Sequence, residues 1–263
     1  MTGTSPELAV CASADELAQD AAGRLAATLV SALAVRPFAH VAVTGGSILE
    51  RTFAALAALP ARDEVEWHRV HVWWGDERFV PADSDDRNDE AAFAAGLGEL
   101  PLDPALVHRM PSTDSGYGDD VDAAARQYAE TLATADPANS TGGVPNFDIV
   151  MLGIGPDGHC ASLFPGHPGT RVLDRPVIGL TDSPKPPPAR LSLTFPALDT
   201  AREICFVASG PSKADAVAAA LSGADPTDVP SAGPKGRDRT LWLIDEDAAA
   251  KLPADLRDAA ATR

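Results

Sequence analysis

The sequence predicts an α/β protein with an open, parallel-type sheet flanked by helices. Short apolar runs of strand length alternate with amphipathic helical patterns along the chain, the signature of successive βα units. One run, Ile149 to Leu152, is apolar without a break, as suits a strand buried on both faces. No internal repeat is visible. The loop-like stretches Thr134 to Pro145 and Gly223 to Arg239 lead into no new composition, so residues 1–263 read as one domain.

In chain order, Glu7 to Cys11 is a strand. Ser13 and Glu16 make a capping box for a helix that repeats Leu17, Ala21, Leu25, Leu29 and Leu33 on one face. Ala39 to Val43 is a strand ending in Thr44-Gly45-Gly46-Ser47, before a helix carrying Leu49, Phe53, Leu56 and Leu59. Val70 to Trp74 is a strand ending in Gly75-Asp76-Glu77-Arg78-Phe79-Val80-Pro81. A polar loop leads through Asn88 into an Ala-rich helix that stops near Gly96. Val107 to Met110 reads as a short strand and Asp119 to Thr134 as a helix with an acidic first turn, which suits the macrodipole. After the central strand, Val177 to Leu180 and Leu191 to Phe195 are strands around the stiff loop Pro184-Lys185-Pro186-Pro187-Pro188. Glu203 to Ala208 is a strand running through Ser209-Gly210-Pro211-Ser212-Lys213 into a helix. Thr240 to Ile244 is the last strand, followed by a short helix and a frayed tail.

With 45% apolar and 22% charged residues the chain is of ordinary globular composition. No early basic-plus-apolar leader and no apolar stretch near 18 residues occurs, which leads us to expect a cytoplasmic protein. Cys11, Cys160 and Cys205 stand singly in apolar surroundings, without metal-ligand spacing, and read as reduced core residues. A net charge of −17 argues against nucleic acid or an anionic membrane as partner. The same charge means that an anionic substrate needs a local basic site within a repelling field.

Chemistry concentrates after the central strand. Gly153, Gly155 and Pro156 break it and turn the chain. Asp157 and His159 then fall where an open α/β sheet receives its ligands, at a strand's carboxyl end. Alone, Asp-Gly-His reads more readily as a turn with a solvated acid and an incidental His. Gly45, Gly46 and Ser47 enter a helix, where backbone N–H groups attract anions, although such a turn also serves as a plain connection. Arg78 is either an oxyanion contact, which Asp76 then steadies, or a surface partner of Asp76 or Glu77. Lys213, one of only four lysines beside seventeen arginines, sits in a helix's first turn, the wrong end for a cation unless an anion lies beside it. Arg190 closes the proline loop and is a further anion contact or a solvated residue.

In order and spacing these segments resemble the 6-phosphogluconolactonases and their relatives the glucosamine-6-phosphate deaminases. The matching strings are the Gly-Gly-Ser turn, Gly75 to Pro81 with Asn88 downstream, Gly153 to Pro165, Arg190-x-Ser-Leu-Thr, and Gly210-x-x-Lys213-Ala214. Ile48-Leu49 stands where Thr-Pro often follows the turn, and Asp86-Arg87 stands where Ser is more usual. The resemblance implies a Rossmann-like architecture, as in the glucosamine-6-phosphate deaminases, ribose-5-phosphate isomerases and CoA-transferases. It also implies hydrolysis of 6-phospho-D-glucono-1,5-lactone, with no metal or organic cofactor and a small sugar phosphate as partner. His159 would be the base, Asp157 its orienting acid, and Gly45, Gly46, Ser47, Asp76, Arg78, Arg190 and Lys213 the substrate contacts. Two rival readings are an aldose–ketose isomerase of the deaminase kind and a non-enzymatic sugar-phosphate sensor. The deaminases carry a Glu five residues after the His, where this chain has Phe164, and a sugar-phosphate sensor would carry a basic DNA-binding module.

Overall fold

The computed structural model describes residues 6–261. The chain runs β1 (Glu7–Cys11), α1 (Ala14–Leu33), β2 (Ala39–Val43), α2 (Ser47–Ala58), β3 (Val70–Trp74), β4 (Asp76–Arg78), α3 (Asn88–Ala95), β5 (Val107–His108) and α4 (Val121–Ala135). It continues through β6 (Ser140–Thr141), β7 (Val144–Pro145), β8 (Ile149–Gly153), β9 (Val177–Leu180), β10 (Arg190–Leu193) and α5 (Phe195–Leu198). The last elements are β11 (Glu203–Ala208), α6 (Ala214–Leu221), β12 (Arg239–Asp245) and α7 (Ala254–Ala261).

Seven strands form one sheet in the order β1-β12-β11-β8-β2-β3-β5. Every neighbouring pair is parallel. The chain builds outward in one direction from β2 to β5 and in the other from β8 to β12, so the order reverses between β2 and β8. That reversal opens a crevice at their carboxyl ends, the standard ligand position in such sheets. Thr44 bridges it: its Oγ1 accepts from Gly153 N at 3.1 Å. β8 lies at the middle of the sheet, and Ile149 to Leu152 are completely buried, as an unbroken apolar run requires.

A second, antiparallel sheet, β4-β10-β9, hangs over the carboxyl edge of the first. Helices α1 and α2 pack side by side, and Leu17, Ala21, Leu25, Leu29 and Leu33 of α1 are all buried. Fully burying each such leucine contributes about 1.5–3 kcal/mol. At the start of α1, Ser13 Oγ accepts from Glu16 N, while the Glu16 carboxylate reaches back to Ala12 N at 2.7 Å, one residue earlier than a standard capping box.

Several boundaries differ from expectation. Asp76–Arg78 is a strand, not simply a turn. The strand expected at Val107 to Met110 spans two residues. α4 begins at Val121 because Asp120 caps it, accepting from Ala123 N at 2.8 Å. The strand expected at Leu191 to Phe195 ends at Leu193: Pro196 has no N–H for a ladder but fits the first turn of α5. The stretch Thr134 to Pro145 holds the small hairpin β6–β7. The expected terminal helix is present, and the tail beyond it, residues 262 and 263, lies outside the described residues. Among the described residues no helix is long and apolar enough to cross a membrane.

Candidate active site

A cavity of about 300 Å³ opens at the carboxyl ends of β2 and β8. Gly45 and Gly46 line it from the turn before α2 and Ser47 from the first position of that helix; Asp76 and Arg78 come from β4, His159 from the turn after β8, Arg190 from β10 and Lys213 from the approach to α6. Asp157 stands behind His159. No side chain caps the N-terminus of α2, which leaves that end polarised toward the cavity.

His159 Nδ1 lies 2.5 Å from Asp157 Oδ1. The turn that brings them together needs Gly155, because a Cβ there would overlap the His159 ring and the Asp157 carboxylate. Burial works against ionising Asp157, but the His159 hydrogen bond and the charges of His159 and Lys185 prevail and hold its carboxyl well below the usual carboxylate range. An ionised carboxylate only accepts hydrogen bonds, so His159 Nδ1 carries the proton. In the neutral imidazole the lone pair is then on Nε2, which has no hydrogen-bond partner among the described residues. Lys185 Nζ stands 3.1 Å from the same Nδ1 and 3.4 Å from Asp157 Oδ1. A protonated Nδ1 cannot also accept from Lys185, so the ammonium's acceptor is the carboxylate. Phe164 packs on the imidazole, with ring centroids 4.8 Å apart.

The rest of the wall is basic. β10 and β4 pair in a register that sets Arg190 directly opposite Arg78. The Arg78 Nη1 donates to Asp86 O at 2.7 Å, and its Nε is buried without a partner. Neither ion pair considered for Arg78 forms. Asp76 instead accepts from Ser162 Oγ at 2.7 Å, and Glu77 accepts from the Arg78 backbone. Arg190 is not solvated: its Nε and Nη2 donate to the carbonyls of Lys185, Pro186 and Pro187 and shape the proline loop. Lys213 occupies the N-cap of α6, after a single 3₁₀ turn, and not its first turn. Burial, and then the nearby Lys185, pull its pKa down, an arrangement that a bound anion relieves.

Lys185, Asn88 and Phe164 are among the lining residues to which the sequence assigns no role. Lys185 had one available signal, a rare lysine inside a rigid loop beside Arg190. Ser162 is fully buried and Cys160 is buried with its thiol pushed up by desolvation, so neither is an exposed nucleophile. Among the described residues no group of three or more His, Cys, Asp or Glu is placed to hold a metal ion.

Fold and cavity define a class: an α/β protein with a basic pocket at the carboxyl edge of a parallel sheet, beside a carboxylate–imidazole pair. The chain belongs to the family of glucosamine-6-phosphate isomerases and 6-phosphogluconolactonases, which matches residues 12–242. It is 50% identical over 252 residues to the 6-phosphogluconolactonase of Streptomyces coelicolor, covering 96% of this chain and 97% of that one. It is 45% identical over 255 residues to the 6-phosphogluconolactonase of Mycobacterium tuberculosis, covering 95% and 100%. Among solved structures, the 6-phosphogluconolactonase of Trypanosoma cruzi superposes with a TM-score of 0.80 at 26% identity, over 97% of this chain and all of the other.

Proposed function

We propose that the chain, acting as a single cytoplasmic domain, hydrolyses 6-phospho-D-glucono-1,5-lactone to 6-phosphogluconate. The observation that carries this reading is Asp157 Oδ1 standing 2.5 Å from His159 Nδ1 at the wall of a basic pocket, which in the neutral imidazole leaves Nε2 as the base. Water bound at Nε2 gives up a proton as its oxygen attacks the lactone carbonyl. Arg78, Lys185 and Lys213 line the cavity and supply positive charge for the tetrahedral oxyanion and the phosphate. When the intermediate collapses, the bond from carbonyl carbon to ring oxygen breaks, and the His159 imidazolium returns the proton to that oxygen. Asp157 stabilises the imidazolium in between.

The four basic side chains in the cavity outnumber its one carboxylate, Asp76. They act at contact distance, whereas salt screens the distant negative surface beyond about 10 Å at 0.1 M. The deaminase alternative loses its acid, because Phe164 is buried against His159 and cannot titrate. The test is the appearance of 6-phosphogluconate from the lactone, corrected for spontaneous opening. A rate no faster than the uncatalysed one, or turnover of glucosamine-6-phosphate instead, overturns the reading.

A further inference from the structure

We infer that Glu77, which does not line the cavity, is a positioning residue that holds Arg78 and Asn88 in their binding geometry. The inference rests on the reading above for its kinetic arm only. Asp76 and Arg78 flank Glu77 on β4 and both line the cavity. Strand alternation sends Glu77 to the opposite side, where it is fully buried. There its carboxylate accepts three backbone N–H groups: Arg78 and Asn88 at 2.7 Å on Oε1, and Asp89 at 2.9 Å on Oε2.

Two of those amides open α3, whose own N-cap residue, Arg87, has no acceptor side chain and makes no capping hydrogen bond to them. Glu77 therefore caps a helix from a different element, and a carboxylate at that end also suits the helix dipole. The consequence reaches the cavity through Asn88. Its side chain donates to Asp76 O at 3.0 Å and lies so close to Gly45 that a Cβ there would overlap it. One buried carboxylate thus ties β4, the start of α3 and the phosphate-type turn before α2 into a fixed arrangement. The Arg87 guanidinium lies 3.9 Å from Glu77 but makes its bidentate pair with Asp89, so charge balance is arranged around Asp89 while Glu77 is left to the amides.

Glu77→Gln keeps the shape but puts an NH2 group where an N–H needs an acceptor. The expected result is a KM for the phosphorylated lactone raised roughly tenfold, as for one lost contact, with kcat within about threefold of wild type. Asp89→Asn, which disturbs the same buried cluster without removing the amide acceptors, should lower thermal stability and leave KM within about threefold. In the wild type, the Arg78, Asn88 and Asp89 amides should exchange slowly with solvent in the absence of any substrate. In Glu77→Gln at least one of them, left facing the NH2 group, should exchange at least tenfold faster. A wild-type KM in Glu77→Gln, or a KM rise of equal size in Asp89→Asn, overturns the inference. So does fast exchange of these amides in the wild type. Slow exchange in a protein without lactonase activity would instead count against the proposed reaction and leave the anchor standing.

Discussion

Arg190 and Arg78 stand directly opposite each other across the antiparallel β10–β4 pair, two guanidinium groups at one register position. Like charges in that relation are destabilising by themselves. Arg190 is held by loop carbonyls, whereas Arg78 has one carbonyl partner and a buried, unpartnered Nε. An anion between or beside the two groups would relieve that repulsion. Arg78→Met should raise KM for the phosphorylated lactone by one to two orders of magnitude, while changing the stability of the free protein by less than about 1 kcal/mol. Calorimetric titration with 6-phosphogluconate gives a second measure, and undiminished affinity in the variant would remove Arg78 from the site.

His159→Ala should lower kcat by about 10²–10⁴-fold with little change in KM, the usual loss for a general base. Steady-state kinetics with subtraction of spontaneous lactone opening decides it. Near-normal kcat would mean that water is activated elsewhere.

Gly155→Ala forces the Asp157–His159 pair off the backbone on which it rests. Because a displacement of about 1 Å can cost 10²-fold, kcat should fall by roughly that factor while the circular dichroism spectrum stays native. A fully active Gly155→Ala protein would show that this pair does not act from the observed position.

Lys213→Met should raise KM for the phosphorylated lactone by one to two orders of magnitude, in line with a charge-assisted hydrogen bond of roughly 1.5–3 kcal/mol. Unphosphorylated glucono-1,5-lactone should respond little. Equal losses of kcat/KM on both lactones would assign Lys213 to the chemistry or the fold instead.

A cluster outside the cavity's lining responds to pH. His40, His71 and His108 stack with Trp73. Trp73 Nε1 donates to His40 Nδ1 at 3.2 Å, so the His40 proton sits on Nε2 facing Asp136. Burial, then the neighbouring histidines, lower His40 and His108 to about 4, against the attraction of Asp136 for His40. The unfolded chain, with ordinary histidines near 6.5, binds more protons between these values. Stability is therefore complete above about pH 6.5 and falls as the pH drops toward 4, by on the order of 3 kcal/mol for His40 alone. Urea unfolding at pH 7.5 and 5 tests this, and equal stability at both would contradict it.

The sheet and the Asp157–His159 turn are legible in the sequence because their signals are local: an unbroken apolar run, then glycines, then the reactive pair. Lys185 is not, since its approach to Asp157 depends on how Arg190 gathers the carbonyls of the proline loop. The Arg78–Arg190 opposition is a matter of register in a strand of three residues, too short to show alternation. The capping of α3 by Glu77 joins elements separated by a loop, and no pattern around Asn88 announces it.

The neighbour of β1 in the sheet is β12, with Glu7 beside Leu241. A chain emerging from the ribosome thus presents its first strand long before the partner for it exists. Until β12 arrives, β1 has no ladder to join and β11 offers an open edge, the kind of exposure that invites pairing with other chains. Completion of the sheet is consequently a late, non-local event, and such closures are slow. Removing β12 would leave both of its neighbours without a partner on that side, so a break near β12 reaches back to β1.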